Sequence, residues 1–177
     1  MTKIFGYLLL VLLCSSGLAA PGLESGYKLG SGDVISIKVF GESDLSFDAV
    51  RITDAGTLPY PFLGEVRAGG RTPQELSQVI TRGLADGYLV NPRVTINVTT
   101  YREFYVNGEV KSPGGYPYQS GLTVRKAIAL AGGKTERASE SKISVIREGD
   151  TGGEPVRVTL DSLVYPGDIV TIEESFF

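Results

Sequence analysis

Two pairs of carboxylates are the residues of this chain whose type and spacing come nearest to a catalytic arrangement: Glu42 with Asp44, and Glu173 with Glu174. Such a pair could supply the acid and base of glycoside hydrolysis, a mechanism that depends on the separation of the carboxyl groups in space. We interpret both pairs as solvated acids near turns. The chain has no histidine, so Ser–His and Cys–His nucleophile systems are excluded and the commonest metal ligand is missing. We therefore predict no catalysis, no metal and no cofactor.

Tyrosines are the second set of side chains with a chemical use, because sugar rings stack on aromatic faces. Five of them lie in or beside predicted turns, where such contacts are accessible: Tyr60, Tyr101, Tyr105, Tyr116 and Tyr118. We predict that they contact a glycan or form an interface. The alternative is that these rings cover small hydrophobic cores or the seams of an oligomer.

A short phrase occurs twice and organises the elements that must position these side chains. Residues 32–37 have the sequence Gly-Asp-Val-Ile-Ser-Ile, and residues 167–172 have Gly-Asp-Ile-Val-Thr-Ile. Glycine tolerates positive φ, aspartate bonds to its own turn backbone, and β-branched residues favour extended chain. Each copy therefore predicts a turn followed by a strand, with a structural role and no binding role.

Two helices are predicted between the two copies of the phrase. Thr72-Pro73-Gln74-Glu75 combines a capping residue, a first-turn proline and a capping-box glutamate, and it predicts a helix over about residues 73–86. Gly87 follows as a left-handed stop. The second helix begins after Thr123 and ends at Gly132-Gly133. Each helix has one apolar face, which we assign to a hydrophobic core.

The order of these signals predicts an α+β protein made of two small domains. Residues 20–102 form a mixed sheet with one helix, residues 103–177 form a β-grasp-like module with one helix, and the boundary lies near Tyr101 to Glu103. A hydrophobic content of 42% is ordinary for a globular protein. The net charge of −3 comes without a basic cluster, so we predict no nucleic-acid partner.

The first 19 residues are predicted to be a secretory signal peptide. Lys3 precedes an apolar run, Ile4 to Leu13, and small residues then lead to a cleavage site after Ala19. Cys14 is the only cysteine, and lipidation at this position is the alternative. Leu13 stands before it, where a lipobox has a small residue. We therefore expect an exported, soluble chain without disulfides.

The motifs in their order resemble the bacterial outer-membrane polysaccharide export (OPX) family. Residues 27–39, Tyr-Lys-Leu-Gly-Ser-Gly-Asp-Val-Ile-Ser-Ile-Lys-Val, look like the opening of its polysaccharide biosynthesis/export domain, and Asn91-Pro92-Arg93-Val94 continues that likeness. The second half resembles the soluble-ligand-binding β-grasp (SLBB) domain that follows in this family. Residues 106–110, 113–116, 122–133 and 164–170 carry this second match.

The resemblance implies a periplasmic protein, associated with the outer membrane, that stacks into homo-oligomeric rings and forms part of a conduit for capsular or exopolysaccharide. The chain resembles a short member with one SLBB module and without the helix by which long members cross the outer membrane. Its implied partners are the polysaccharide, an outer-membrane β-barrel, and an inner-membrane polysaccharide co-polymerase or export machinery. The alternative function is a periplasmic module that binds a glycan or a small ligand.

Overall fold

The computed structural model describes residues 26–149 and 153–175 of the chain. The predicted signal peptide, its cleavage site and Cys14 lie outside these described residues. Two groups of buried apolar side chains divide the described chain. The first extends from Leu29 to Ile96, and the second from Phe104 to Ile172. We call the two parts the N-terminal and C-terminal units; the domain limits 20–102 and 103–177 stay predictions.

The N-terminal unit contains a three-stranded sheet and a separate hairpin. Its strands are β1 (Val34–Val39), β2 (Glu42–Arg51), β3 (Thr57–Tyr60), β4 (Gly64–Arg67) and β5 (Val94–Thr100). The sheet has the order β2-β1-β5, and β3 pairs with β4. All of these pairings are antiparallel, so the sheet of this unit is antiparallel and not mixed as predicted. Short hairpins join β1 to β2 and β3 to β4, and strands joined in this way are antiparallel. Strand β5 follows helix α1 (Pro73–Ala85) and returns beside β1.

Helix α1 (Pro73–Ala85) confirms the helix predicted from its capping box. The Thr72 hydroxyl accepts a hydrogen bond from the Glu75 amide at 3.1 Å, and the Glu75 carboxylate accepts one from the Thr72 amide at 2.7 Å. Leu76, Ile80 and Leu84 on the predicted apolar face are buried. They pack with the inward-facing side chains of β1 and β5, and this contact forms the first hydrophobic core.

The C-terminal unit is a five-stranded sheet with one short helix. Its elements are β6 (Phe104–Gly108), β7 (Gly114–Tyr116), α2 (Val124–Leu130), β8 (Ala138–Ile146), β9 (Val156–Arg157) and β10 (Ile169–Glu174). The strand order is β7-β6-β10-β8-β9, and β10 runs parallel to β6 and antiparallel to β8. This arrangement, with a helix on the connection between strands, agrees with the predicted β-grasp-like module. The α+β class is confirmed.

A glycine at the end of β6 allows the backbones of the parallel strands β6 and β10 to approach closely. Gly108 pairs with Ile172 at the end of β6 and has a φ of +82°. A Cβ atom at this position would lie 2.0 Å from the Ile172 carbonyl oxygen. Only glycine therefore fits here, since both the left-handed backbone and the approach of β10 exclude a side chain.

Candidate binding groove between the two units

The repeated Gly-Asp phrase forms the same turn at two places. Gly32 and Gly167 have φ values of +88° and +83°, and the aspartates that follow them are buried. Asp33 Oδ2 accepts a hydrogen bond from the amide of Gly30 at 2.8 Å, and Asp168 Oδ2 accepts one from the amide of Tyr165 at 2.7 Å. In both turns the carboxylate therefore closes the backbone three residues before it, which confirms the turn-and-strand prediction.

Each buried carboxylate is neutralised by an arginine that lies elsewhere in the chain. Asp33 Oδ2 lies 3.0 Å from Nη1 of Arg102, and Asp33 Oδ1 accepts the Arg102 amide at 2.8 Å. Asp168 is bound by Nη1 of Arg147, which also donates to the Leu163 carbonyl oxygen at 3.1 Å. A carboxylate that is removed from water requires such partners, because an unpaired buried charge is strongly destabilising.

Arg102 stands between the two cores and contacts both units. Its Nη1 donates to the Tyr27 hydroxyl at 2.6 Å, and that hydroxyl donates to Asp33 Oδ2 at 2.6 Å. Its Nε donates to the carboxylate of Glu148, which follows β8. The guanidinium thus joins the start of the N-terminal unit to a loop of the C-terminal unit.

A groove of about 420 Å³ opens beside this arginine, and we call it the seam groove. Its aromatic lining comprises Tyr27, Tyr101, Tyr118 and Tyr165. The rings of Tyr27 and Tyr101 meet edge to face with centroids 5.0 Å apart, and those of Tyr101 and Tyr118 do so at 5.3 Å. Such a volume lies within the range of small-molecule sites, and the wall combines ring faces with hydroxyl groups.

Burial controls the ionisation of the groups around the seam groove. It raises the pKa of the Tyr27 hydroxyl, and the hydrogen bond to Asp33 raises it further. Burial likewise raises the pKa of Tyr118. Burial also raises the pKa of Asp168, against the lowering effects of the Tyr165 amide and the Arg147 guanidinium. At neutral pH both phenols are therefore uncharged and can donate or accept hydrogen bonds.

The structure brings two of the five predicted tyrosines, Tyr101 and Tyr118, into the seam groove. Tyr105 is half exposed on β6 and lines a second groove that also includes Arg102. Tyr116 packs against the C-terminal core and donates to the Ser112 carbonyl oxygen. Tyr60 is buried, donates to the Leu45 carbonyl oxygen at 2.8 Å, and has its pKa raised by burial to about 12. Glycan contact by any of the five stays a prediction.

Among the groove residues that sequence reasoning missed are two tyrosines, Tyr27 and Tyr165, and three cations, Lys28, Arg102 and Arg147. The repeated phrase contained a signal for the tyrosines, because both stand in the lead-in to a Gly-Asp turn. The arginines had no such signal. Arg102 lies 69 positions from Asp33, and Arg147 lies 21 positions from Asp168, so folding alone brings each pair together.

The carboxylate pairs considered for catalysis lie on separate strands. Glu42 and Asp44 are exposed at the start of β2. Glu173 and Glu174 both lie on β10; a carboxylate oxygen of Glu173 lies 3.4 Å from a guanidinium nitrogen of Arg157, and Glu174 is paired with Arg137.

In the described part of the chain, no three Asp, Glu, His or Cys side chains are grouped so that they could hold a metal ion. Within residues 26–149 and 153–175, no helix has the length and apolar character needed to cross a bilayer.

Two family models match the chain in succession. Residues 21–99 match the polysaccharide biosynthesis/export protein family, and residues 104–159 match the SLBB domain. The short stretch between the two matches contains Tyr101 and Arg102, the residues that connect the units in the structure. The resemblance inferred from the motifs is therefore confirmed.

Characterised relatives carry names from exopolysaccharide production and export. The chain is 33% identical to the exopolysaccharide production protein ExoF of Rhizobium meliloti, over 71% of this chain and 32% of the relative. It is 28% identical to the EPS I polysaccharide export outer membrane protein EpsA of Ralstonia nicotianae, over 84% of this chain and 47% of the relative. It is 27% identical to the polysialic acid transport protein KpsD of Escherichia coli, over 83% of this chain and 27% of the relative. The chain thus spans less than half the length of these relatives.

Proposed function

The chain belongs to the polysaccharide biosynthesis/export family, and we propose that it acts in the export of a capsular or exopolysaccharide without catalysing a reaction. One observation carries the proposal: the two family matches follow each other and together cover most of the described residues. The relatives over which the likeness extends are named for exopolysaccharide production, polysaccharide export and polysialic acid transport. The absence of histidine is in keeping with a binding or structural role.

The protein works in the periplasm, next to the outer membrane, as one part of a homo-oligomeric ring or as an adaptor within the export pathway. It couples an outer-membrane partner to the inner-membrane export machinery. The connection between the two units supports this role, because Arg102 bonds to Asp33 in the N-terminal unit and to Glu148 in the C-terminal unit. Units held in a constant orientation present a constant surface to identical neighbours, as a closed ring requires.

Two experiments test this function at different levels. In-frame deletion of the gene, with surface polysaccharide and cell-retained polysaccharide measured together, tests the role in export. Sedimentation velocity of the mature protein tests whether it assembles into a ring. The measurement is made on the protein alone and again with membrane partners that have been captured by crosslinking. A chain that remains monomeric at high concentration and with its partners would contradict the ring.

The seam groove favours a second candidate function, the capture of a soluble glycan in the periplasm. Its tyrosines provide ring faces and hydroxyl groups of the kind that saccharides contact. Titration with oligosaccharides distinguishes the two candidates. Saturable binding by the monomer supports glycan capture, whereas binding that requires assembled rings supports the conduit.

A further inference from the structure

The charged side chains of the seam groove are mostly engaged in ion pairs. Three cations line it, Lys28, Arg102 and Arg147, against two carboxylates, Glu148 and Asp168. The Asp168 side chain is only 2% exposed and already accepts hydrogen bonds from the Tyr165 amide and from Arg147. Glu148 is bound to Arg102. Neither carboxylate is therefore the natural partner of a further cationic ligand. Because the buried Asp33 also pairs with Arg102, the groove has no net excess of positive charge, and an anionic ligand depends on N–H donors that these pairs leave unused.

Two of the cations retain capacity to bind an anion. Among the described residues, both hydrogen bonds of the Arg147 guanidinium are made by Nη1, although a guanidinium has five N–H donors. Lys28 pairs with Glu75 at 3.0 Å, and both side chains of this pair are half exposed to water. A surface pair of this kind contributes little, so Lys28 can exchange its partner for a ligand carboxylate at small cost.

An aromatic surface lies beside these cations. Tyr165 is 41% exposed, and the Arg147 guanidinium lies over one face of its ring, with the guanidinium carbon 5.0 Å from the ring centroid. Tyr118 adds a partly buried ring to the same groove. A ring face next to a guanidinium suits a ligand that has an apolar sugar face and an anionic substituent.

From this arrangement we propose that the seam groove binds a carboxylated sugar unit of an acidic polysaccharide. The carboxylate pairs with Lys28 and Arg147, and the pyranose ring lies on Tyr165. The inference rests on the proposed function, since it names the class of polymer that the export protein contacts. It assigns the contact to the seam between the two units.

Calorimetric titration of the full chain tests the site with one matched pair of ligands. Tetragalacturonate carries the carboxylates, and its methyl ester is the same sugar chain without charge. We expect the acid to bind more tightly than the ester, with an advantage that falls as salt is added, because the ion pairs are solvent-accessible. Equal affinity for the two ligands, or no binding of either, would overturn the proposal.

Substitutions with matched controls locate the binding. Lys28→Gln is expected to weaken tetragalacturonate binding roughly two- to fivefold, the loss of one exposed ion pair. Lys38→Gln is its control, because Lys38 is equally exposed and pairs with Asp48 away from the groove. Tyr165→Leu is expected to weaken binding roughly fivefold through loss of the ring face. Its control is Tyr88→Leu, which alters a half-exposed tyrosine outside the groove.

Weakening by the two groove variants and by neither control supports the site, and equal affinity in all four variants refutes it. The deletion experiment reports on the proposed function separately. If deletion abolishes export while tetragalacturonate fails to bind, the proposed function stands and the groove assignment falls. If tetragalacturonate binds as expected while deletion leaves export unchanged, the groove assignment stands and the export role falls.

Discussion

Asp33 holds Arg102 through two independent contacts, the backbone amide at 2.8 Å and the guanidinium at 3.0 Å. The same guanidinium binds Glu148 in the other unit. A fully buried carboxylate at the first turn of the N-terminal unit therefore fixes the residue that connects the two units. The geometry of the seam groove depends on this pair, because Arg102 is part of its wall.

Replacement of Asp33 by asparagine is predicted to destabilise the protein strongly. The change removes the more deeply buried of the two carboxylates that bind a mostly buried arginine, and breaking a buried pair costs about 3–5 kcal/mol. Urea denaturation measures the free energy of unfolding. Asp48→Asn is the control, since it breaks an exposed pair with Lys38 and should leave the free energy nearly unchanged. Similar values for the two variants would contradict the role assigned to Asp33.

The Tyr27 hydroxyl is predicted to stabilise the fold at neutral pH and to lose this effect in alkali. Tyr27→Phe removes a donor to buried Asp33 and should cost about 1–3 kcal/mol. The pKa of Tyr27 is raised above its ordinary value of 10.0, mainly by burial, so the folded state favours the protonated phenol. The stabilisation is therefore complete below pH 10 and decreases as the pH rises above it.

Urea denaturation of wild type and Tyr27→Phe over a series of pH values checks this prediction, with tyrosinate absorbance followed in the same samples. The difference in free energy between the two proteins should be constant up to about the ordinary phenol pKa and should shrink above it. If the difference in the free energy of unfolding instead grew above pH 10, the predicted direction of the pKa shift of Tyr27 would be wrong.

Gly108→Ala is predicted to be the most damaging glycine substitution in the C-terminal unit. The new methyl group would meet the Ile172 carbonyl oxygen and force β6 and β10 apart, at a backbone φ that already disfavours alanine by about 1–2 kcal/mol. Gly87→Ala is the matched control, because its φ is +89° and the space around it is open. Thermal unfolding should show a small loss for Gly87→Ala and a much larger one for Gly108→Ala. Equal losses would mean that backbone conformation alone matters.

The cap of helix α1 is predicted to contribute measurably to stability. Thr72→Ala removes the hydroxyl that accepts the Glu75 amide and should cost about 1 kcal/mol. Thr81→Ala, in the same helix, removes a hydroxyl that bonds back to the Ser77 carbonyl oxygen and should be neutral or slightly stabilising. Denaturation of both variants gives the comparison, and a neutral Thr72→Ala would exclude a stabilising cap.

Local chemistry explains why the helices and the Gly-Asp turns were predictable. The caps at Thr72 and Thr123 involve residues within three positions of one another, so their sequence alone determines the contact. Asp33 and Asp168 likewise bond to backbone three positions away. Interactions of this range survive any arrangement of the rest of the chain, and short motifs therefore identify them.

Contacts between distant residues explain what the sequence left undetermined. Strand composition does not distinguish the parallel β6–β10 pair from the antiparallel pairs of β1, and the direction of pairing depends on how connections cross the sheet. Tyr60 stands beside a turn, yet strand alternation turns its ring into the core. The seam groove required Arg102 and Arg147, whose partners are many positions away in sequence.

The role in export is tested by measuring surface polysaccharide after in-frame deletion of the gene, together with cell-retained polymer in the same cultures. Polymer is expected to disappear from the surface of the deletion strain and to return when the wild-type gene is restored. Complementation with Asp48→Asn serves as a control for expression, because that exposed pair lies away from the seam. Unchanged surface polymer in the deletion strain, with no second copy of the gene present, would contradict a role in export.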